Sequence, residues 1–139
     1  MGGKNVYKLG KQYELKLLRL LTRLGFLAFR VPASGRGRKR TLPVDVVAIG
    51  RNRVILFEVK YRKNKAIVEL ELNRYNFLIN AKKRYGVEAY ICAWYTDVKE
   101  FLCVDVEDYS NMTSYCAYYS YLHFLRNGRK VQDIVNSKT

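Results

Sequence analysis

The sequence predicts a mixed α/β fold in which a central mixed β-sheet is flanked by helices. Two stretches with apolar residues at helical spacing alternate with runs of β-branched and aromatic residues, an order typical of a sheet covered by helices. The chain has 139 residues, and 49% of them are hydrophobic, which suffices for a packed core. No stretch rich in proline, glycine and serine divides it, so residues 1–139 are expected to form one domain.

The N-terminal region is predicted to contain a helix, a short strand and a basic loop. Residues 7–24 carry apolar side chains at helical spacing, namely Tyr13, Leu17, Leu20, Leu21 and Leu24. Gly25 supplies a stop signal for this helix. Residues 26–31 have the composition of a strand that Pro32 closes, and residues 33–40 are too rich in glycine and charge for regular structure.

A β-hairpin is predicted in the middle of the chain. Residues 44–49 and 54–61 are β-branched and aromatic runs, joined by a turn sequence at 50–53. The same patterns predict a short strand at 66–70, a helix at 73–85, strands at 87–95 and 99–104, and a short terminal helix at 130–135. Residues 114–125 fit either an aromatic strand or a buried helix, and we favour the strand; Asn127-Gly128 then supplies a turn signal.

The charge of the chain indicates a polyanionic partner. Lysine and arginine number 26 against 12 aspartates and glutamates, a formal net charge of +14. The basic residues form clusters at 36–40, 51–53, 61–65 and 82–84. Such clusters are typical of nucleic-acid-binding surfaces. The simpler alternative is a basic protein whose charge only keeps it in solution.

The cysteines and the hydropathy pattern bear on the environment of the protein. Three cysteines in apolar contexts, without Cys-x-x-Cys spacing, predict neither a disulfide nor a zinc site and favour a reducing interior. No apolar run is long enough to span a membrane, and no signal-peptide pattern is present at the N-terminus. We therefore expect an intracellular protein with no membrane partner.

Two acidic residues interrupt the apolar strands of the predicted hairpin. Asp45 begins the first strand and Glu58 lies near the end of the second, so both reach one cleft where the strand ends meet. Lys60 points to the same face as Glu58, because side chains alternate along a strand. Two carboxylates suit Mg²⁺, a hard cation that keeps several of its waters, and Mn²⁺ is expected to substitute. Such a site would activate water for phosphodiester hydrolysis, with Lys60 stabilising the developing negative charge.

Simpler explanations exist for each of these residues taken alone. A strand that ends in Glu-Val-Lys is common, and an aspartate after Pro-Val can merely begin a strand. Glu14 on the first helix would pair with Lys11 one turn earlier if it were an ordinary surface carboxylate. His123 lies in an aromatic run and is expected to be a packed side chain without a function. Carboxylates within apolar strands are nevertheless costly to bury without compensation, which favours the metal site.

Four segments of the sequence resemble a known nuclease family. Residues 43–45 (Pro-Val-Asp), followed by 58–60 (Glu-Val-Lys), resemble the PD-(D/E)XK nuclease signature. Residues 10–14 (Gly-Lys-Gln-Tyr-Glu) are similar to the glycine-to-glutamate spacing of the archaeal-type Holliday junction resolvases, and residues 30–35 (Arg-Val-Pro-Ala-Ser-Gly) to their loop. The resemblance covers about residues 8–95 and implies a restriction-endonuclease-like nuclease core.

The resemblance implies roles for individual residues. It assigns the catalytic set to Glu14, Asp45, Glu58 and Lys60. Of these, Asp45 and Glu58 would be the metal ligands. Together with the basic clusters, it predicts DNA contacts by Arg30, Ser34, Arg36, Arg38, Lys39, Arg40, Arg62 and Lys63. The chain departs from the family at Leu15, where these resolvases often have arginine, and at Ala81, where an aromatic residue is expected in the dimer.

These observations together predict a homodimeric enzyme that cuts branched DNA. As the resemblance implies, its two active sites would nick opposed strands of a four-way junction symmetrically, and the two-fold symmetry of that substrate favours a dimer. The first alternative is a linear-DNA nuclease of repair or restriction type with the same fold. The second is a basic DNA-binding module in which the carboxylates have no catalytic part.

Overall fold

A computed structural model of the chain describes residues 2–32 and 42–137, with side chains from residue 8 onward. The helices are α1 (Gly2–Arg23), α2 (Leu72–Tyr85), α3 (Tyr121–Asn127) and α4 (Val131–Asn136). The strands are β1 (Leu27–Arg30), β2 (Val46–Gly50), β3 (Arg53–Arg62), β4 (Val68–Glu71), β5 (Glu88–Tyr95), β6 (Phe101–Asp105), β7 (Asn111–Met112) and β8 (Cys116–Tyr119). None of the helices in this part of the chain is long and apolar enough to cross a membrane.

A five-stranded mixed sheet forms the centre of the fold, with the strand order β1-β2-β3-β5-β6. The strands β1, β2 and β3 pair antiparallel, β3 pairs with β5 in parallel, and β5 pairs with β6 antiparallel. Two parallel neighbours need a crossover connection, and the segment that contains α2 supplies it. The predicted mixed sheet flanked by helices is therefore confirmed.

Side-chain alternation along β3 divides the apolar core into two layers. Phe57 packs in a buried cluster with Leu17 of α1 on one face of the sheet. Leu56 belongs to a second buried cluster on the other face, which includes Leu78 of α2. Glu58 is two residues from Leu56 and therefore shares the α2 face. The sheet thus separates α1 from α2 and directs a carboxylate into the α2 layer.

The C-terminal third adds a small sheet and two short helices. The strands β4, β8 and β7 form an antiparallel sheet in that order. The strand favoured for residues 114–125 is correct only for Cys116–Tyr119, because the chain continues as α3. Ser120 separates the two elements, since its side chain accepts a hydrogen bond from the backbone nitrogen of His123 and caps the helix. The His123 ring is held by Asp108, whose carbonyl oxygen lies 2.8 Å from Nε2.

The expectation that the cysteines form no disulfide is wrong. Cys92 of β5 lies directly opposite Cys103 of β6, and the two residues form a disulfide with their Cα atoms 4.0 Å apart. Directly opposed side chains on antiparallel strands share one face and lie close together, but the spacing of cysteines along a sequence does not reveal this pairing. Cys116 is free and half-buried. The cysteines therefore no longer indicate a reducing environment.

Reduction of this disulfide is expected to lower the free energy of unfolding by about 3 kcal/mol, because the cross-link closes a short loop in the unfolded chain. Guanidinium chloride unfolding of the wild type, with and without a phosphine reductant, measures the effect. The variant Cys103→Ala should not respond to the reductant, whereas Cys116→Ser should respond like the wild type. Equal unfolding midpoints of the wild type in both buffers would contradict the prediction.

Candidate active site

Asp45 lies at the open end of the β2–β3 hairpin, directly before β2. Its backbone nitrogen donates to the carbonyl oxygen of Phe57 at 3.2 Å. Its carboxylate Oδ2 accepts a hydrogen bond from the backbone nitrogen of Val59 at 2.9 Å. The side chain is 10% exposed. Asp45 is therefore held against the neighbouring strand at the level of Glu58, as the hairpin prediction requires.

Glu58 lies in β3 and is fully buried. Arg74, in the first turn of α2, forms a bidentate ion pair with it: Nε lies 2.5 Å from Oε1 and Nη2 lies 2.7 Å from Oε2. The same Nη2 is 3.2 Å from Oδ1 of Asp45. One guanidinium therefore bridges both carboxylates and offsets the cost of burying them.

Arg74 is the residue of this site that the sequence reasoning missed. The first turn of α2 contains no acidic residue, although negative charge is favoured at the N-terminal end of a helix. A positive charge in the first turn opposes the helix dipole, which indicates that the residue has a partner elsewhere in the fold. A positive charge in the first turn of α2 was therefore the sequence signal for Arg74. This signal can be recognised only once the first residue of the helix is known.

The two carboxylates have the donor chemistry of a Mg²⁺ site. Mg²⁺ prefers hard oxygen ligands and is held by one or two protein carboxylates while it keeps several waters. Asp45 and Glu58 already attract a cation, since the Arg74 guanidinium contacts both. Within residues 8–32 and 42–137, no group of three or more histidine, cysteine, aspartate or glutamate side chains could hold a metal ion. The residues therefore fit a two-carboxylate site that does not include Glu14.

Lys60 lies two residues beyond Glu58 in β3, so its side chain emerges on the same face of the sheet. It is half-buried. Lys60 lines a cleft of about 470 Å³ together with its neighbours in residues 59–63 and with Leu9 and Gly10 of α1. The cleft lies between the N-terminal half of α1 and the end of β3.

Glu14 of α1 is buried and pairs with Arg30 of β1. Nε of Arg30 donates to Oε1 of Glu14 at 3.0 Å, and the side chains are 21% and 8% exposed, respectively. Glu14 is therefore a buried carboxylate that joins the helix to the edge strand. This contact differs from the simpler expectation of a surface pair with Lys11. Arg30, a predicted phosphate contact, directly precedes Val31 in the chain. The backbone nitrogen of Val31 donates to the carbonyl oxygen of Asp45.

The other predicted DNA contacts are only partly described. The guanidinium of Arg62 donates to the carbonyl oxygens of Tyr61 and Ile67 at 2.9 and 3.1 Å. It also lies 3.5 Å from Glu69, so it folds onto the turn after β3. Lys63 is exposed on that turn. Outside the described residues lie Ser34, Arg36, Arg38, Lys39 and Arg40.

Comparison with known proteins places this chain in a family. Residues 5–135 match the sequence model of the archaeal Holliday junction resolvases (Hjc). The chain belongs to this resolvase family. The match confirms the resemblance drawn from the motifs and extends it beyond residue 95 into the C-terminal third.

Relatives of this resolvase-family chain include named crossover junction endodeoxyribonucleases. The Hjc enzyme of Sulfurisphaera tokodaii is 29% identical over 91% of this chain and 85% of its own length. The Hjc enzyme of Sulfolobus acidocaldarius is 32% identical over 69% of this chain and 66% of its own length. The enzyme of Sulfolobus islandicus rod-shaped virus 1 is 45% identical, but the match covers only 40% of this chain and 45% of the viral protein.

A solved structure shares the fold of this resolvase-family chain. Archaeoglobus fulgidus Hjc, a Holliday junction resolvase from an archaeal hyperthermophile, superimposes with a TM-score of 0.75 at 23% identity. The superposition covers 91% of this chain and all of the other. The predicted nuclease core is thereby confirmed at the level of the fold.

The carboxylate pair has an unusual protonation equilibrium. Burial and the charge of Asp45 raise the pKa of Glu58 to about 8, while Arg74 acts in the opposite direction. Burial lowers the pKa of Arg74, but the hydrogen bond and charge of Glu58 raise it by more, so the guanidinium stays charged. A carboxyl whose pKa is raised by folding stabilises the fold below its usual pKa of 4.5, and this contribution is lost as the pH rises to about 8.

The metal-free chain should therefore lose stability with rising pH through Glu58. We expect the melting temperature in EDTA to fall more between about pH 5 and about pH 8.5 for the wild type than for Glu58→Gln, because glutamine does not titrate. Differential scanning fluorimetry across this range gives the comparison. Glu69→Gln, an exposed carboxylate in β4, is the control and should follow the wild type. Identical slopes for wild type and Glu58→Gln would contradict the raised pKa.

Proposed function

We propose that this chain cuts four-way DNA junctions inside the cell by metal-dependent phosphodiester hydrolysis. The observation that carries the proposal is the buried pair of carboxylates at the hairpin end, in a chain whose net charge is +14. Asp45 directly precedes β2, Glu58 lies in the neighbouring strand β3, and Lys60 follows on the same face as Glu58. Membership of the resolvase family and similarity to crossover junction endodeoxyribonucleases support a junction substrate.

The carboxylates Asp45 and Glu58 would hold Mg²⁺, and Mn²⁺ would substitute for it. The bound ion would lower the pKa of a water molecule and neutralise the phosphoryl oxygens. Lys60 orients the attacking water and stabilises the negative charge that grows on the phosphate. The backbone hydrogen bond from Val59 fixes Oδ2 of Asp45, so this carboxylate is preorganised before substrate arrives. Glu14 belongs to the catalytic set as the residue that positions Arg30.

Phosphate contacts along the junction arms hold the substrate. Arg30, with a side chain 21% exposed and paired with Glu14, contacts the phosphate backbone. The remaining contacts are made by Ser34, Arg36, Arg38, Lys39, Arg40, Arg62 and Lys63. Such contacts orient a duplex without reading its bases. The angle between the arms of the junction, rather than its sequence, is therefore what these residues recognise.

The enzyme acts as a homodimer, in which two sites nick opposed strands symmetrically. An apolar patch on the sheet supports this assembly: Leu27, Ile49 and Val54 lie opposite one another on β1, β2 and β3. Their exposed fractions are 67%, 41% and 37%. Phe29, on the same face of β1, is 43% exposed. A row of exposed apolar side chains on one sheet face is typical of a surface that a second copy covers.

Substitution of either metal ligand tests the reaction. Asp45→Asn and Glu58→Gln should each lower junction cleavage in Mg²⁺ by roughly a thousandfold or more, because a lost ligand removes several kcal/mol of transition-state stabilisation. Junction binding, followed by gel shift without metal, should change little. Asparagine keeps an oxygen for the hydrogen bond from Val59, so the fold is preserved. Glu69→Gln should cut at the wild-type rate; normal cutting by the two ligand variants would remove the proposed site.

Competition separates junction cleavage from the two alternatives. A labelled four-way junction should still be cut in the presence of a large excess of linear duplex of the same sequence. A linear-DNA nuclease would instead be inhibited in proportion to the competitor. A basic binding module would give salt-sensitive binding and no Mg²⁺-dependent product.

The apolar sheet patch provides a test of the dimer. Ile49→Glu should shift the protein from dimer to monomer in sedimentation velocity, because a buried unpaired carboxylate is costly at an interface. The monomer should nick a junction without pairing the two cuts. Leu122→Glu places the same charge on α3, where leucine is 55% exposed, and should leave the dimer intact. A dimeric Ile49→Glu protein would show that this face is not the interface.

A further inference from the structure

Arg74 contributes a positive charge to the site at a position where the proposed function places a metal ion. We propose that Arg74 is the resident cation of the metal-free site and competes with divalent ions for Asp45 and Glu58. Metal binding and release of the guanidinium from the carboxylates are then one coupled event. This inference rests on the proposed metal site, because it assigns a residue that controls how that site fills.

The carboxylate oxygens that a metal ion would use already accept hydrogen bonds in the metal-free chain. Each of the four oxygens accepts a hydrogen bond: both oxygens of Glu58 and Oδ1 of Asp45 from Arg74, and Oδ2 of Asp45 from Val59. A divalent ion that binds Glu58 and Asp45 together must approach the oxygens that the guanidinium contacts. The two cations would then occupy neighbouring positions and repel each other.

The charge balance of the site gives the second step. Arg74 contacts both carboxylates and so offsets part of their negative charge when both acids are ionised. The offset pair attracts a divalent ion more weakly than the same pair would without Arg74. Arg74 thus keeps the buried acids compensated in the absence of metal and lowers their affinity for metal.

The position of Arg74 allows its side chain to leave without disturbing the helix. The side chain is 23% exposed, and it reaches the carboxylates from the first turn of α2. The backbone there is held independently, because the nitrogen of Leu72 donates to the carbonyl oxygen of Tyr115 and the nitrogen of Arg74 donates to Oδ1 of Asn73. Rotation of the long side chain toward solvent therefore breaks only its own contacts.

Binding of Mn²⁺ alone, followed by electron paramagnetic resonance of the free ion without DNA, tests the competition. Arg74→Gln should bind Mn²⁺ roughly tenfold more tightly than the wild type or better, since a neutral amide does not repel the ion. Arg74→Lys keeps the charge but cannot form the bidentate ion pair, so its Mn²⁺ affinity should lie between those of the wild type and Arg74→Gln. Arg53→Gln is the control. Arg53 forms a similar bidentate ion pair with Glu88, in which Nε and Nη2 each lie 2.7 Å from a carboxylate oxygen, and its loss should leave the Mn²⁺ affinity unchanged.

The wild type offers a second measurement that does not depend on how well a variant folds. In ¹⁵N–¹H spectra, Mg²⁺ should shift the Nε–H resonance of Arg74 away from its ion-paired position and leave that of Arg53 in place. An unmoved Arg74 resonance at saturating Mg²⁺ would overturn the inference. Equal Mn²⁺ affinities of wild type and Arg74→Gln would overturn it too. If Glu58→Gln then failed to bind Mn²⁺, the proposed metal site would still be supported. Absence of Mn²⁺ binding in every protein would remove both.

Discussion

Arg74 joins the first turn of α2 to two strands of the sheet through charged contacts with Glu58 and Asp45. Glu58 is fully buried, so its carboxylate depends on this partner. The helix cannot slide along the sheet without removing the hydrogen-bond donor of the buried Glu58 side chain. Its position is therefore fixed by electrostatics at the first turn as well as by the apolar contacts of Leu78 further along.

The topology explains why a helix start lies next to these carboxylates. Because β3 and β5 are parallel, the chain must cross back over the sheet after β3, and α2 makes the return over the face that carries Glu58. The small sheet also holds the start of α2 in place. Its strand β4, which directly precedes α2, pairs with β8, and the nitrogen of Leu72 donates to the carbonyl oxygen of Tyr115 at 2.9 Å. The C-terminal third thus helps to hold Arg74 in place, although it contains none of the predicted catalytic residues.

The parts of the fold that were predictable from the sequence have local signals. The hairpin and its carboxylates follow from alternation and a turn sequence within residues 44–61. Arg74 could not be recognised in this way, because its partners lie 16 and 29 positions away and are selected by where α2 begins. The Cys92–Cys103 pair likewise depends on the register between two strands. Residues 114–125 have a composition that suits strand and helix equally, and only the cap at Ser120 decides where one ends and the other begins.

The arrangement also resolves a conflict between a basic protein and an acidic centre. Two exposed carboxylates would repel a polyanion, but these two are buried and share one guanidinium, so little of their charge reaches the surface. A second cation is shared between two acids in the same way, since Lys82 contacts both Asp105 and Glu107. Because acids share cations in this way, fewer of the 26 basic residues are used in internal ion pairs. The surplus sets a positive long-range field around the protein, of the kind that favours association with a polyanion.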